Sequence, residues 1–135
     1  MTTIVDASVA LKWFFVEEGS DRAMALLDGR ALSAPSIWLA EAANAVWRRR
    51  VLGEIERKEA LALLSDLGEA EVETVEIAGL IDTAYKIADD LNHPIYDCLY
   101  LAAAIERDTH VVTADKRFLR AVAGNARLKS KIRPL

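Results

Sequence analysis

Between Pro94 and Phe118 the chain reads PIYDCLYLAAAIERDTHVVTADKRF, and this stretch constrains the fold more than any other. Leu99, Tyr100, Leu101, Ala102, Ala103, Ala104 and Ile105 follow one another without a charged break. A helix over them is apolar on almost every side and has to be buried. A few residues on, His110 to Thr113 reads as a short buried strand. Asp97 stands at the start of the helix and Asp115 just past the end of the strand. Two carboxylates therefore reach the end of a buried element, and in open parallel sheets ligands bind outside the carboxyl ends of the strands.

The remaining segments repeat this alternation of short strand and helix. Thr3-Ile4-Val5 is a strand ending at Asp6, and Ala7 to Phe15 has helical content. A helix capped by Ser20 runs to a stop at Gly29. Ala31 to Ala34 is a brief strand closed by Pro35, and a helix follows from Ser36 to about Val51. Glu56 to Leu67 has Ala60, Leu63, Leu64 and Leu67 at helical spacing, with Gly68 as the stop. Val72 to Ile77 alternates like a strand, Ala78 to Leu91 is amphipathic, Lys116 to Val122 is a short helix, and Lys131 to Leu135 suits an edge strand. Strands separated by helices call for an α/β/α sandwich around a four- to five-stranded, mainly parallel sheet. With no repeat or linker, residues 1–135 are expected to form a single domain.

A hydrophobic fraction of 53% excludes disorder as the default state. No uncharged run approaches the roughly 20 residues of a membrane span, and MTTIVDAS lacks the pattern of a signal peptide. A lone cysteine, Cys98, forms no internal disulfide. A cytoplasmic setting without a membrane is expected. The net charge of −4 argues against nucleic acid as a partner, but its distribution does not. Glu54 to Leu91 holds eleven acids against three bases, whereas Lys116 to Leu135 holds seven bases and no acid. Arg48, Arg49 and Arg50 close a helix. These clusters suit a basic rim for a polyanion, or, more simply, a helix C-terminus and a solvated face.

Asp6 and Asp115 each follow a strand, so parallel neighbouring strands place both carboxylates on one edge of the sheet. Helix capping accounts equally well for Asp6, Asp97 and Asp115 taken singly. Glu41 is different, because it lies mid-helix among Trp38, Leu39, Ala42, Ala43 and Ala45. With Asn44 and Arg48 it forms one polar stripe on an apolar body, so either it contacts those neighbours or it needs a proton or a cation. Two unit charges 4 Å apart repel by about 4 kcal/mol at an effective dielectric near 20. Four carboxylates gathered at one edge therefore call for raised pKa values or a divalent ion. His93 and His110 are isolated in the sequence, and an oxygen-only donor set selects Mg2+ or Mn2+ over zinc. Such ions serve phosphoryl chemistry.

IVDASVALKW, PSIWLAEAANAVWR, YDCLYLAAA and VVTADKRF resemble, in order and spacing, the four motif regions of PIN-domain ribonucleases, and more closely the VapC toxins of bacterial toxin–antitoxin pairs. The resemblance implies that Asp6, Glu41, Asp97 and Asp115 are the acidic metal-site residues; of these, Asp6, Asp97 and Asp115 are expected to hold the cation directly or through water, and Glu41 to complete the pocket or orient the attacking water. Ser8, Asn44 and Thr113 match polar positions supporting them. It further implies a Mg2+- or Mn2+-dependent endoribonuclease, dimeric, and inhibited by a VapB-type antitoxin. Lys116, Arg117 and Arg120, beside Asp115, are candidates for holding the RNA backbone.

Two other classes stay open on the residues alone. A phosphatase or phosphoacceptor would use Asp6 as a covalent nucleophile, but Ser8 stands where such phosphatases carry a second acid. A non-catalytic RNA- or protein-binding module would use Trp13, Trp38, Trp47 and the basic tail, although tryptophans at helical positions are more often core.

Overall fold

The computed structural model describes residues 2–135. Among these residues five strands form one sheet: β1 (Thr2–Val5), β2 (Ala31–Pro35), β3 (Val72–Val75), β4 (Val111–Thr113) and β5 (Ile132–Pro134). Their order is β3-β2-β1-β4-β5 and every pairing is parallel. The chain grows outward from β1 through β2 to β3, then returns to lay β4 along the other side of β1. The reversal opens a crevice between β1 and β4 at their carboxyl ends, which is where ligands sit in sheets of this kind. Register places Val5 opposite Val112, and the Asp6 amide donates to the Val112 carbonyl at 3.1 Å. Asp6 thus emerges beside Thr113.

Among the described residues, seven α-helices connect the strands: α1 (Ala7–Leu11), α2 (Ser20–Ala25), α3 (Trp38–Val51), α4 (Arg57–Gly68), α5 (Ile81–Leu91), α6 (Ile95–Glu106) and α7 (Lys116–Ala123). They make the α/β/α arrangement expected from the sequence. The apolar helix α6 is the centre of the packing, with every residue from Cys98 to Ala104 buried. It lies against β1 and β2, with α5 at its side. Burying each of its leucines is worth about 1.5–3 kcal/mol. Ile105, expected to share that burial, is 39% exposed because the helix reaches the rim there.

Several boundaries differ from the expected ones. The first helix stops at Leu11 and the chain continues in turns to Phe14. Ser20 does not cap α2; Gly19 does, at φ 86°, a left-handed conformation that suits glycine. The Ser20 hydroxyl instead donates to the Phe15 carbonyl and accepts from the Glu17 amide, closing the loop before the helix. Strand β3 ends at Val75, and Ile77–Leu80 forms a 3-10 turn that drops Leu80 into the core at 2% exposure. Trp38 is buried and Trp13 donates to the Ala23 carbonyl, but Trp47 is 59% exposed on α3. Among the described residues no helix is long and apolar enough to cross a membrane.

Candidate metal centre

Asp6, Ser8, Glu41, Asn44, Arg48, Asp97 and Asp115 line a single cleft of about 300 Å3. Four elements supply the acids. Asp6 follows β1 and caps α1, accepting the Ser8 amide on Oδ1 at 3.3 Å. Glu41 lies in the first turn of α3 and Asp97 in the first turn of α6. Asp115 follows β4 and caps α7, taking the Arg117 and Phe118 amides on Oδ1 at 2.9 and 3.3 Å. Capping and a place in the cleft are therefore compatible for Asp6 and Asp115. Asp97 is not a cap: Pro94 holds that position.

Thr113, fully buried at the end of β4, organises the two strand-end acids. Its hydroxyl donates to Asp6 Oδ2 at 2.6 Å and accepts the Asp115 amide at 3.0 Å. The Ser8 hydroxyl lies 3.5 Å from it and accepts the Ala114 amide at 3.2 Å. Asn44 lines the cleft, exposed on α3 one turn beyond Glu41.

The electrostatics follow from burial. Asp6 is 7% exposed, and desolvation lifts its pKa from 3.8 to about 6 despite the donors at Thr113 and Ser8. The nearby charges of Asp97 and Asp115 push the same way. Glu41 is raised to about 7, again mainly by desolvation, with Asp6 and Asp97 adding repulsion and the Tyr100 hydroxyl opposing it. That hydroxyl donates to Glu41 Oε1 at 2.5 Å, and burial holds its own pKa well above the usual value. Glu41 is therefore not satisfied by Asn44 or Arg48 on its own helix, as the polar stripe allowed, but by a buried tyrosine of α6.

As they stand, no three His, Cys, Asp or Glu side chains among the described residues converge closely enough to cage an ion. Each acid is turned partly toward a partner of its own: Glu41 to Tyr100, Asp97 to His93, Asp115 to the start of α7. Among the described residues, Glu41 Oε2, Asp97 Oδ1 and Asp115 Oδ2 accept no hydrogen bond, and no lysine or arginine pairs with any of the four acids. Carboxyl oxygens of one chemical kind, with no lysine or arginine paired to them, line one cleft and fit a hard divalent cation held directly or through water.

The basic residues divide by position. Lys116 lines a separate cleft of about 180 Å3 beside Thr113 and Ala114, with Lys12 and Arg22. Arg117 and Arg120 are exposed on α7 and line neither cleft. Arg49 is structural, pairing with Glu17 at 2.7 Å and lying 3.8 Å over the Phe15 ring, whereas Arg48 lines the acidic cleft. In the tail, Arg127 and Lys131 pair with Asp90 and Asp108. Cys98 is buried, its thiol pushed up to about 12, consistent with a small inert filler.

Sequence reasoning overlooked Tyr100 and His93. The signal for Tyr100 was its hydroxyl in a Leu/Ala run that had to be buried, since such a hydroxyl needs a partner. His93, taken for an isolated loop residue, has its Nε2 2.6 Å from Asp97 Oδ2. The signal was the spacing of four residues between them.

Similar folds occur among solved structures. PAE2754 from Pyrobaculum aerophilum matches 98% of this chain and 83% of its own, at 22% identity and a TM-score of 0.67. A toxin–antitoxin complex from Klebsiella pneumoniae matches at 12% identity and TM-score 0.64, covering 97% of this chain and 95% of the other. VapBC2 from Rickettsia felis, bound to a DNA fragment from its promoter, matches at 14% identity and TM-score 0.64, covering 100% and 99%. Comparison with curated proteins finds no match. The PIN domain family model matches residues 3–124, a span that contains all four cleft acids, and the chain belongs to that family.

Proposed function

We propose that this chain is a divalent-metal-dependent endoribonuclease that hydrolyses RNA phosphodiester bonds and acts as the toxin of a type II toxin–antitoxin pair. The observation that carries the reading is the convergence of Asp6, Glu41, Asp97 and Asp115 on one cleft at the carboxyl edge of a parallel sheet. Asp6, Asp97 and Asp115 would hold Mg2+ or Mn2+, directly or through water, and Glu41 would complete the pocket or orient the attacking water. When bound, such a cation supplies Lewis acidity toward a phosphoryl oxygen and toward water. Thr113 and Ser8 fix the rotamer of Asp6 by hydrogen bonds, a form of support that metal sites depend on. Asn44 offers the cleft a neutral polar group one turn from Glu41.

Lys116, with Lys12 and Arg22 beside it, supports an RNA path across the carboxyl edge, and Arg117 and Arg120 extend that charge along α7. These groups would hold phosphates and position the strand without reading sequence. Against the phosphatase alternative, Ser8 stands two residues after Asp6, where such phosphatases carry a second acid, and both Asp6 oxygens already accept hydrogen bonds from Ser8 and Thr113.

Two of the similar folds are toxin–antitoxin proteins, which supports an antitoxin partner of VapB type. An apolar cleft between α3 and α4, with Trp47, Leu61 and Leu64, suits an inserted partner helix. A homodimer in a cytoplasmic setting completes the proposal.

The test is cleavage of end-labelled RNA by the purified chain. The expected result is cleavage with Mg2+ or Mn2+, its loss with a chelator, and its loss in folded Asp6→Asn and Asp97→Asn proteins. Full activity in either variant, or activity indifferent to chelation, contradicts the proposal.

A further inference from the structure

We infer that His93 is a positioning residue for the acidic cleft, holding the Asp97 carboxylate through a ring N–H while its imidazole is seated on Phe118. The inference rests on the cation reading of the preceding subsection and deepens it.

His93 is anchored from behind. Asn92 ends α5 in a left-handed conformation (φ 50°), and the His93 amide donates to the Ala88 carbonyl at 3.1 Å. The backbone is thus fixed by the end of one helix while the side chain reaches the first turn of the next. There Nε2 lies 2.6 Å from Asp97 Oδ2, with the imidazole side chain only 11% exposed. An ionised carboxylate can only accept, so it is the ring N–H that donates.

A face of the imidazole meets Phe118. The two rings stack with centroids 5.7 Å apart and planes 11° from parallel. Phe118 is fully buried and lies in the first turn of α7, where its amide donates to Asp115 Oδ1. One imidazole therefore spans the helix starts that bear Asp97 and Asp115. Lateral freedom is removed by the stack, and carboxylate rotation by the hydrogen bond. Asp97 lines the cleft with Oδ1 free of hydrogen bonds among the described residues, and an oriented carboxylate loses less on taking up a cation. A merely structural i,i+4 pair would stabilise the helix start and leave the cleft's affinity unchanged.

Two substitutions separate the roles. His93→Phe keeps a ring against Phe118 and removes the donor; His93→Gln keeps an N–H at similar reach and removes the ring. Mn2+ affinity is measured by calorimetry on the full chain, and melting temperature without metal. The expected result is Mn2+ binding weakened about 10- to 100-fold in His93→Phe, with His93→Gln within a few-fold of wild type. Wild-type affinity in His93→Phe, or an equal loss in both variants, overturns the inference. Should His93→Phe not fold, His93→Gln decides alone: retained affinity supports the donor role and a loss of tenfold or more refutes it. Wild-type protein that binds no Mn2+ refutes the cation reading itself, a separate result.

Discussion

Replacing Asp6 with Asn is expected to stabilise the protein while abolishing its cation response. Burial raises the Asp6 pKa from 3.8 to about 6, and each pH unit of displacement corresponds to about 1.4 kcal/mol. Keeping the carboxylate ionised in the fold therefore costs about 3 kcal/mol well above pH 6. The unfolded chain releases this proton near pH 3.8 and the folded chain near 6. Between those values the native state binds more protons, so the contribution is full below 3.8 and falls as pH rises through 6. An Asn at this position carries no charge and escapes the cost. It still accepts from the Thr113 hydroxyl, but the Ser8 amide loses its acceptor, which returns about 1 kcal/mol. The net gain is about 2 kcal/mol at pH 8, or roughly 6–10 °C in melting temperature, and close to zero near pH 4.5. Thermal melts of both proteins across pH 4.5 to 8, in chelator and then with Mn2+, make the assay. Mn2+ should raise the wild-type melting temperature only. A variant less stable than wild type at pH 8, or a difference that does not change with pH, refutes the electrostatic reasoning.

Three further outcomes are expected. Thr113→Val keeps the shape but strips the donor from Asp6 and the acceptor from the Asp115 amide; urea denaturation should show a loss of about 2 kcal/mol, and calorimetry Mn2+ binding weakened about 10- to 100-fold. Tyr100→Phe removes the hydroxyl that favours ionised Glu41, so the acid limb of the pH profile for RNA cleavage should move upward by about one pH unit; an unmoved or lowered limb contradicts the assigned role. Leu101→Ala, at a position with no exposure on α6, should cost about 2–5 kcal/mol in urea unfolding, and a loss under about 1 kcal/mol would remove α6 from the centre of the core.

The parts of this fold legible in the sequence were those set by local pattern. The unbroken run from Leu99 to Ala104 had to be buried, and β1 and β4 read directly as apolar segments followed by Asp6 and Asp115. The sheet edge shared by those acids followed from parallel pairing. What stayed hidden depends on partners distant in the chain. Glu41 lies 59 residues from Tyr100 and Asp6 lies 107 from Thr113, so neither hydrogen bond leaves a local trace. The pairing of Arg49 with Glu17, 32 residues away, likewise gave no sign in the run Arg48 to Arg50. Helix ends misled for a related reason. Ser20 has the composition of a cap, but Gly19 takes that place because the serine hydroxyl is engaged by the preceding loop.

The central claim is that Asp6, Asp97 and Asp115, with Glu41 at hand, serve one hard cation. Anomalous diffraction from crystals of this chain soaked in Mn2+ tests it most directly. A peak is expected in the cleft between the ends of β1 and β4, with oxygens of those aspartates bound to the ion or bridged to it by water. A cleft without a peak at saturating Mn2+, or a peak served by other residues, would contradict the claim.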